Sequence, residues 1–182
     1  MIYVNYYFGK DIVIAMFAVR IVVFAFLISI VNPVFANNTK ILSKSGSWES
    51  FVYINKTGKV CYTVSLPKGN SNFSKGRNNE TYISITHRPN NKSFDVINIT
   101  HGSAFKKTEP VKIDINGTKF DLYTSTNGAW AYDDKAVVQA LLKGKTLVVH
   151  GNLINGTVIN DTYSLDGLVK AYNDISKACA VK

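Results

Sequence analysis

Over most of its length the chain alternates apolar and polar residues with the period of two that marks half-buried strands. Trp48–Asn55 and Lys59–Leu66 keep this period on either side of Lys56-Thr57-Gly58, a short Gly-containing hairpin turn. Thr81–His87 places Thr81, Ile83, Ile85 and His87 on one side of a strand and Tyr82, Ser84 and Thr86 on the other. Pro89-Asn90-Asn91 turns the chain into Ser93–His101, whose apolar positions are Phe94, Val96 and either Ile97 or Ile99. Val111–Ile115 and Thr118–Thr124 flank Asn116-Gly117, and Lys145–Leu153 and Thr157–Ser164 flank Asn155-Gly156. Both dipeptides tolerate the positive φ of a type I′ turn, so each predicts a hairpin. A brief Ala129–Tyr132 strand follows the turn Thr126-Asn127-Gly128.

In two places the period lengthens to that of a helix. Asp133 or Asp134 can cap Lys135–Lys143, with Val137, Val138, Leu141 and Leu142 on one face and Gly144 as the stop. Ser164 or Asp166 can cap a second helix running to about Ala178, along which Leu168, Ala171, Tyr172, Ile175 and Cys179 recur. Eight or nine short strands with two peripheral helices predict a mainly β fold, an antiparallel β-sandwich.

The N-terminal residues obey neither period. Ile21–Val31 is an unbroken apolar run, preceded by Arg20 and followed by Val34-Phe35-Ala36, the arrangement of a secretory signal peptide with its small-residue cleavage site. Arg20 divides the longer stretch from Ile12 to Val31, leaving a run too short to span a bilayer comfortably. Met16 offers an alternative start that would give a conventional short, positive leader. The expected organisation is therefore a signal peptide over 1–36, a short tail over 37–46 and one β domain over 47–182. No permanent membrane span is expected once the leader is removed.

Export changes how the two cysteines read. In an oxidising compartment Cys61 and Cys179 predict one disulfide, which would hold the end of the last helix against an early strand. Neither belongs to a CxxC pair, and His87, His101 and His150 do not stand at metal-ligand spacing, so no metal or other cofactor is expected.

The 182 residues carry a net charge of +9, an excess that could steer the domain toward anionic surfaces. It is thinly spread, and no helix-turn-helix, zinc finger or RNA-binding aromatic motif accompanies it, so specific nucleic-acid binding is not expected. His87 could act as an acid or base beside Asp95 or Asp121, whereas Ser103, Ser125 and Ser164 lack the context of an activated nucleophile. Trp48, Tyr53, Tyr62, Tyr82, Phe94 and Trp130 serve mainly as packing groups in this reading. Several of them exposed beside Lys or Arg would instead mark a face for carbohydrate or envelope polymer.

SWESFVY at 47–53, KVCYTVSLP at 59–67, YISITHRP at 82–89, FDLYTSTNGAWA at 120–131, LLKGKTLVVHG at 141–151 and TVINDTYSLDGLVKAYNDISKAC at 157–179 occur in that order. As a set they resemble the invasion associated locus B family of exported alphaproteobacterial proteins. The resemblance implies a β-sandwich-like domain in the periplasm or outer cell envelope, secreted in some settings, with a host-interaction role attributed to one member. It matches both cysteines and the His87-Arg88-Pro89 segment, and it brings no catalytic residue with it.

The expectation is a noncatalytic periplasmic or cell-envelope protein that binds a protein partner or an anionic envelope component. Its interaction surface would draw on Lys68, Phe73, Lys75, Arg77, His87 and Arg88. The alternative is a small periplasmic hydrolase with a histidine-carboxylate site.

Overall fold

The computed structural model describes residues 39–68 and 81–181. The expected signal segment 1–36 lies outside the described residues, as do Phe73, Lys75 and Arg77. The described strands are β1 (Lys40–Ser45), β2 (Trp48–Asn55), β3 (Gly58–Ser65), β4 (Tyr82–Arg88), β5 (Ser93–Thr100), β6 (Val111–Ile115), β7 (Thr118–Ser125), β8 (Gly128–Ala131), β9 (Thr146–Asn152) and β10 (Val158–Ser164). Two helices accompany them, α1 (Asp134–Lys143) and α2 (Leu168–Ala178).

All ten strands join one antiparallel sheet in the order β1-β2-β3-β4-β5-β8-β7-β6-β9-β10. This corrects the expected sandwich. A sandwich would leave β5 and β8 unpaired in separate sheets, but Asn98, Ile99 and Thr100 pair with Trp130, Ala129 and Gly128 and carry the ladder across. A sheet this wide coils. Lys68, just beyond β3, bridges to Thr162 of β10 and donates its backbone N–H to the Thr162 carbonyl at 2.6 Å. The Trp48 indole of β2 donates to the Ser164 carbonyl at 2.9 Å. Strands from opposite halves of the sheet therefore meet over one core, in which Ile83, Ile85 and Ile97 share a cluster with Val149, Ile159 and Tyr163. Each strand has one face toward that core, so its alternation is the same as in two separate sheets.

The hairpins form where the turn residues place them, at Lys56-Thr57, Asn116-Gly117 and Asn155-Gly156. Lys40–Ser45, expected to be part of a tail, is the edge strand β1. A register shift between Ile41 and Ser43 breaks its period of two, which removes the signal that marked the other strands.

Asp133 caps α1 by accepting the Ala136 N–H at 2.9 Å. For α2, neither Ser164 nor Asp166 takes that role. The cap is Gly167, at φ +85°, and a Cβ there would lie 2.0 Å from the Ser45 carbonyl oxygen. Only glycine allows the chain to enter the helix so close to the β1–β2 turn. α2 buries Leu168, Ala171 and Ile175 against β1, β2 and β3. Cys61 of β3 and Cys179 at the end of α2 are bonded, with Cα atoms 6.0 Å apart across a sequence separation of 118.

Candidate functional site

The sheet from β2 to β8 has two unlike faces. Trp48, Ser50, Cys61, Thr63, Ile83, Ile85 and His87 point inward and are buried. The alternate positions line an open trough of about 580 Å³, formed by residues that include Phe51, Tyr53, Tyr62, Tyr82, Ser84, Thr86, Arg88, Asn98 and Trp130. Strand register explains its shape. Phe51 stands opposite Tyr62, Tyr62 opposite Thr86, Ser84 opposite Asn98, and Asn98 opposite Trp130. Small polar side chains on β4 and β5 thus form a floor between aromatic walls on β2–β3 and β8. Ser84, Thr86 and Asn98 are only 7–8% exposed at that floor.

The walls are ordered by ring contacts. Phe51 and Tyr62 stack with centroids 5.1 Å apart and planes within 16°, and Tyr53 meets Tyr62 edge-on at 6.0 Å. Burial, reinforced by the neighbouring Tyr53 and Tyr82 phenols, pushes the Tyr62 pKa up and keeps it a hydrogen-bond donor at neutral pH. Arg88, the last residue of β4, brings a cation to one end of the trough, while Tyr82 begins the strand at the other. The seven residues of β4 set a length of roughly 20 Å. Among the described residues no carboxylate lines the trough and Arg88 makes no ion pair.

His87 lies behind this face, not on it. It is 0% exposed, which corrects its expected place in an interaction surface. Pairing passes from Thr86↔Val96 directly to Arg88↔Ser93, so His87 faces both Phe94 and Asp95 across a bulge, with Asp95 at φ +60°. The Asp95 backbone N–H donates to His87 Nδ1 at 3.1 Å. Nδ1 therefore carries no proton in the neutral ring, and Nε2–H donates to Ser176 Oγ at 3.2 Å. Tyr172, whose ring meets that of His87 edge-on at 5.6 Å, donates its hydroxyl to Asp95 Oδ1 at 2.7 Å. Burial and the bond to that carboxylate push Tyr172 up to about 12, so it stays protonated. Burial lowers the His87 pKa, outweighing the opposite pull of Asp95.

Serine, histidine and aspartate thus come together, but the proton is on the wrong nitrogen for a triad. A base acting on Ser176 needs a free lone pair at Nε2 and a carboxylate on Nδ1–H, whereas here Nε2 donates and a backbone amide occupies Nδ1. The cluster locks α2 to β4 and the β5 bulge, beside the disulfide. Of the other candidates, Asp121 faces Lys112 across the β6–β7 pair, and His101 accepts the Ser103 N–H at 3.2 Å against the ring of Phe105. Among the described residues no group of three or more His, Cys, Asp or Glu side chains could hold a metal. Lys68 is exposed, with its backbone engaged by β10.

Phe51 escaped the sequence reading, although a signal for it existed. The tight turn at Lys56-Thr57 sets Asn55 opposite Gly58, and counting back along both strands brings Phe51 to Tyr62. Nothing comparable announced Ser176 and Tyr172, which reach His87 only through the packing of α2.

Together the coiled single sheet, the helix stapled across its inner face and the aromatic trough on its outer face define a disulfide-linked β domain without an assembled catalytic group among the described residues. The sequence profile of the invasion associated locus B (IalB) protein matches residues 48–176, and the chain belongs to that family. The crystal structure of invasion associated protein B from Bartonella henselae has a similar fold, with a TM-score of 0.53 at 18% identity, covering 75% of this chain and 96% of that one. No curated protein matches the sequence. Among the described residues no helix is long and apolar enough to cross a membrane.

Proposed function

We propose that this is a noncatalytic, exported envelope protein that works by binding, and that its working face is the aromatic trough. The observation that carries the reading is the row of Phe51, Tyr53, Tyr62, Tyr82 and Trp130 left at a concave surface beside Arg88, which makes no ion pair among the described residues. Apolar rings kept at a surface cost stability unless something covers them, and concave sites lined by aromatics with a few polar groups suit ligands. The Cys61–Cys179 bond fits the oxidising compartment that the leader implies. An anionic envelope component in the periplasm or outer envelope suits the cationic end of the trough and the net charge of +9 better than an acid-free apolar partner. A host-interaction role would use the same face. The hydrolase alternative loses its support in the tautomer of His87.

Co-sedimentation with isolated cell envelopes tests this. The native protein should pellet with envelopes, including those stripped of protein, and the Phe51→Ala/Tyr62→Ala variant, checked for native folding, should stay in solution. Equal pelleting of the two would overturn the reading, and pelleting lost on stripping would replace the envelope polymer by a protein partner.

A further inference from the structure

Resting on that reading of the trough, we infer that its ligand is an acidic saccharide: a chain of sugar rings bearing carboxylate or phosphate groups, with Arg88 as the anion anchor. Three features of the trough converge on this chemistry. Its walls are aromatic platforms, and the weakly positive C–H groups of a pyranose face rest well on the negative face of an aromatic ring. Phe51 and Tyr62 form one such platform on one wall and Trp130 a second on the other.

The floor is polar where a purely apolar ligand would require it to be greasy. The hydroxyl-bearing Ser84 and Thr86 and the amide-bearing Asn98 lie between the platforms, within reach of sugar hydroxyls. The Asn98 side chain is itself positioned, with its carbonyl accepting from Thr100 Oγ1 at 2.5 Å and its amide donating to the Ala129 carbonyl at 3.4 Å. A Cβ at Gly128 would lie 3.0 Å from the Asn98 amide and 3.1 Å from the Trp130 indole nitrogen, so that glycine leaves both groups their room.

The charge is at one end. A guanidinium presents a fork of N–H donors that matches carboxylate or phosphate in two parallel bonds. No described carboxylate competes for Arg88, and none in the trough would repel the ligand. A length of roughly 20 Å along β4 accommodates several sugar rings end to end.

The native protein and the Arg88→Gln variant would be titrated with oligogalacturonate, with its uncharged methyl ester, with a phosphorylated mannose oligomer and with poly-glutamate. Trp130 fluorescence supplies the signal, since Trp48 is fully buried and bonded to Ser164. The expected result is saturable binding of at least one acidic saccharide, at least 10-fold weaker binding of the uncharged ester where the uronate binds, and loss of most of that preference in Arg88→Gln. The uronate and phosphate arms show which acid is recognised. Equal binding of acid and ester, an unchanged preference in Arg88→Gln, or equal binding of poly-glutamate would each overturn the inference. So would the failure of every saccharide to bind. If Phe51 and Tyr62 are still needed for envelope co-sedimentation in that case, the trough remains the working face and only its ligand class is wrong.

Discussion

The two faces of β2, β3 and β4 are built from alternate residues of the same strands, yet they have opposite fates. On the inner face the chemically suggestive groups beneath α2 are consumed. His87, Asp95, Tyr172 and Ser176 satisfy one another, and Cys61 is bonded to Cys179. On the outer face Phe51, Tyr62 and Trp130, residues that would ordinarily be assigned to a core, remain at the surface. Reactive side-chain types are therefore a poor guide to the working face of this protein. The better guide is which groups are left without a partner that the fold itself supplies.

The comparison can be broken most severely at the inner face. Replacing Cys61 and Cys179 by serine releases a loop closed over a separation of 118 residues, which the chain-entropy estimate values at about 4.8 kcal/mol. Thermal denaturation should show a midpoint lower by roughly 15 °C, with the trough still able to bind below that midpoint. A midpoint unchanged on reduction would mean that α2 is held by packing alone.

His87→Ala should cost about 2–4 kcal/mol, because it opens a cavity and leaves the Asp95 N–H without its acceptor. Phe51→Ala, on the outer face, should cost roughly 1 kcal/mol or less while abolishing envelope binding. Urea denaturation of both variants decides whether stability and binding separate by face as the fold requires; equal stability losses would erase the distinction.

The mildest perturbation is pH. Burial holds the folded-state pKa of His87 below the ordinary imidazole value, so the unfolded chain takes up its proton first as the pH falls. Stability should be full above about pH 6.5, decline as the pH drops from there toward the lowered folded pKa, and level off below it. His87→Asn keeps an acceptor for the Asp95 N–H without titrating near neutrality, and should flatten the profile between pH 7.5 and 5.5. The same slope in the variant would assign the effect to another group. Asp174 and Glu109, whose pKa values are lowered first by hydrogen bonds from Lys170 and Lys106 respectively, act only at more acidic pH.

Much of this was legible in the chain. The hairpins were fixed by local turn chemistry, since Asn-Gly at 116–117 and 155–156 needs no tertiary context to turn. The phase of β4 was equally local, with Ile83, Ile85 and His87 on one side and Tyr82, Ser84 and Thr86 on the other, but which side faced the core was not. The joining of β5 to β8 was not, because a hydrogen-bonded ladder between distant strands leaves no periodic mark. The cap of α2 was misread for a related reason: Gly167 is chosen by the approach of Ser45, some 120 residues away in sequence. The trough shared that invisibility. Its tyrosines and Trp130 were known as aromatics, but whether the fold would cover them depended on α2, and α2 packs on the other face.

Oxidative footprinting of aromatic side chains, with and without isolated envelopes, tests the central claim most directly. Envelopes should protect Phe51, Tyr53, Tyr62, Tyr82 and Trp130, while Tyr132, 75% exposed and outside the trough, keeps its reactivity. Protection of Tyr132 with the trough residues still reactive would contradict the account and move the working face elsewhere on the molecule.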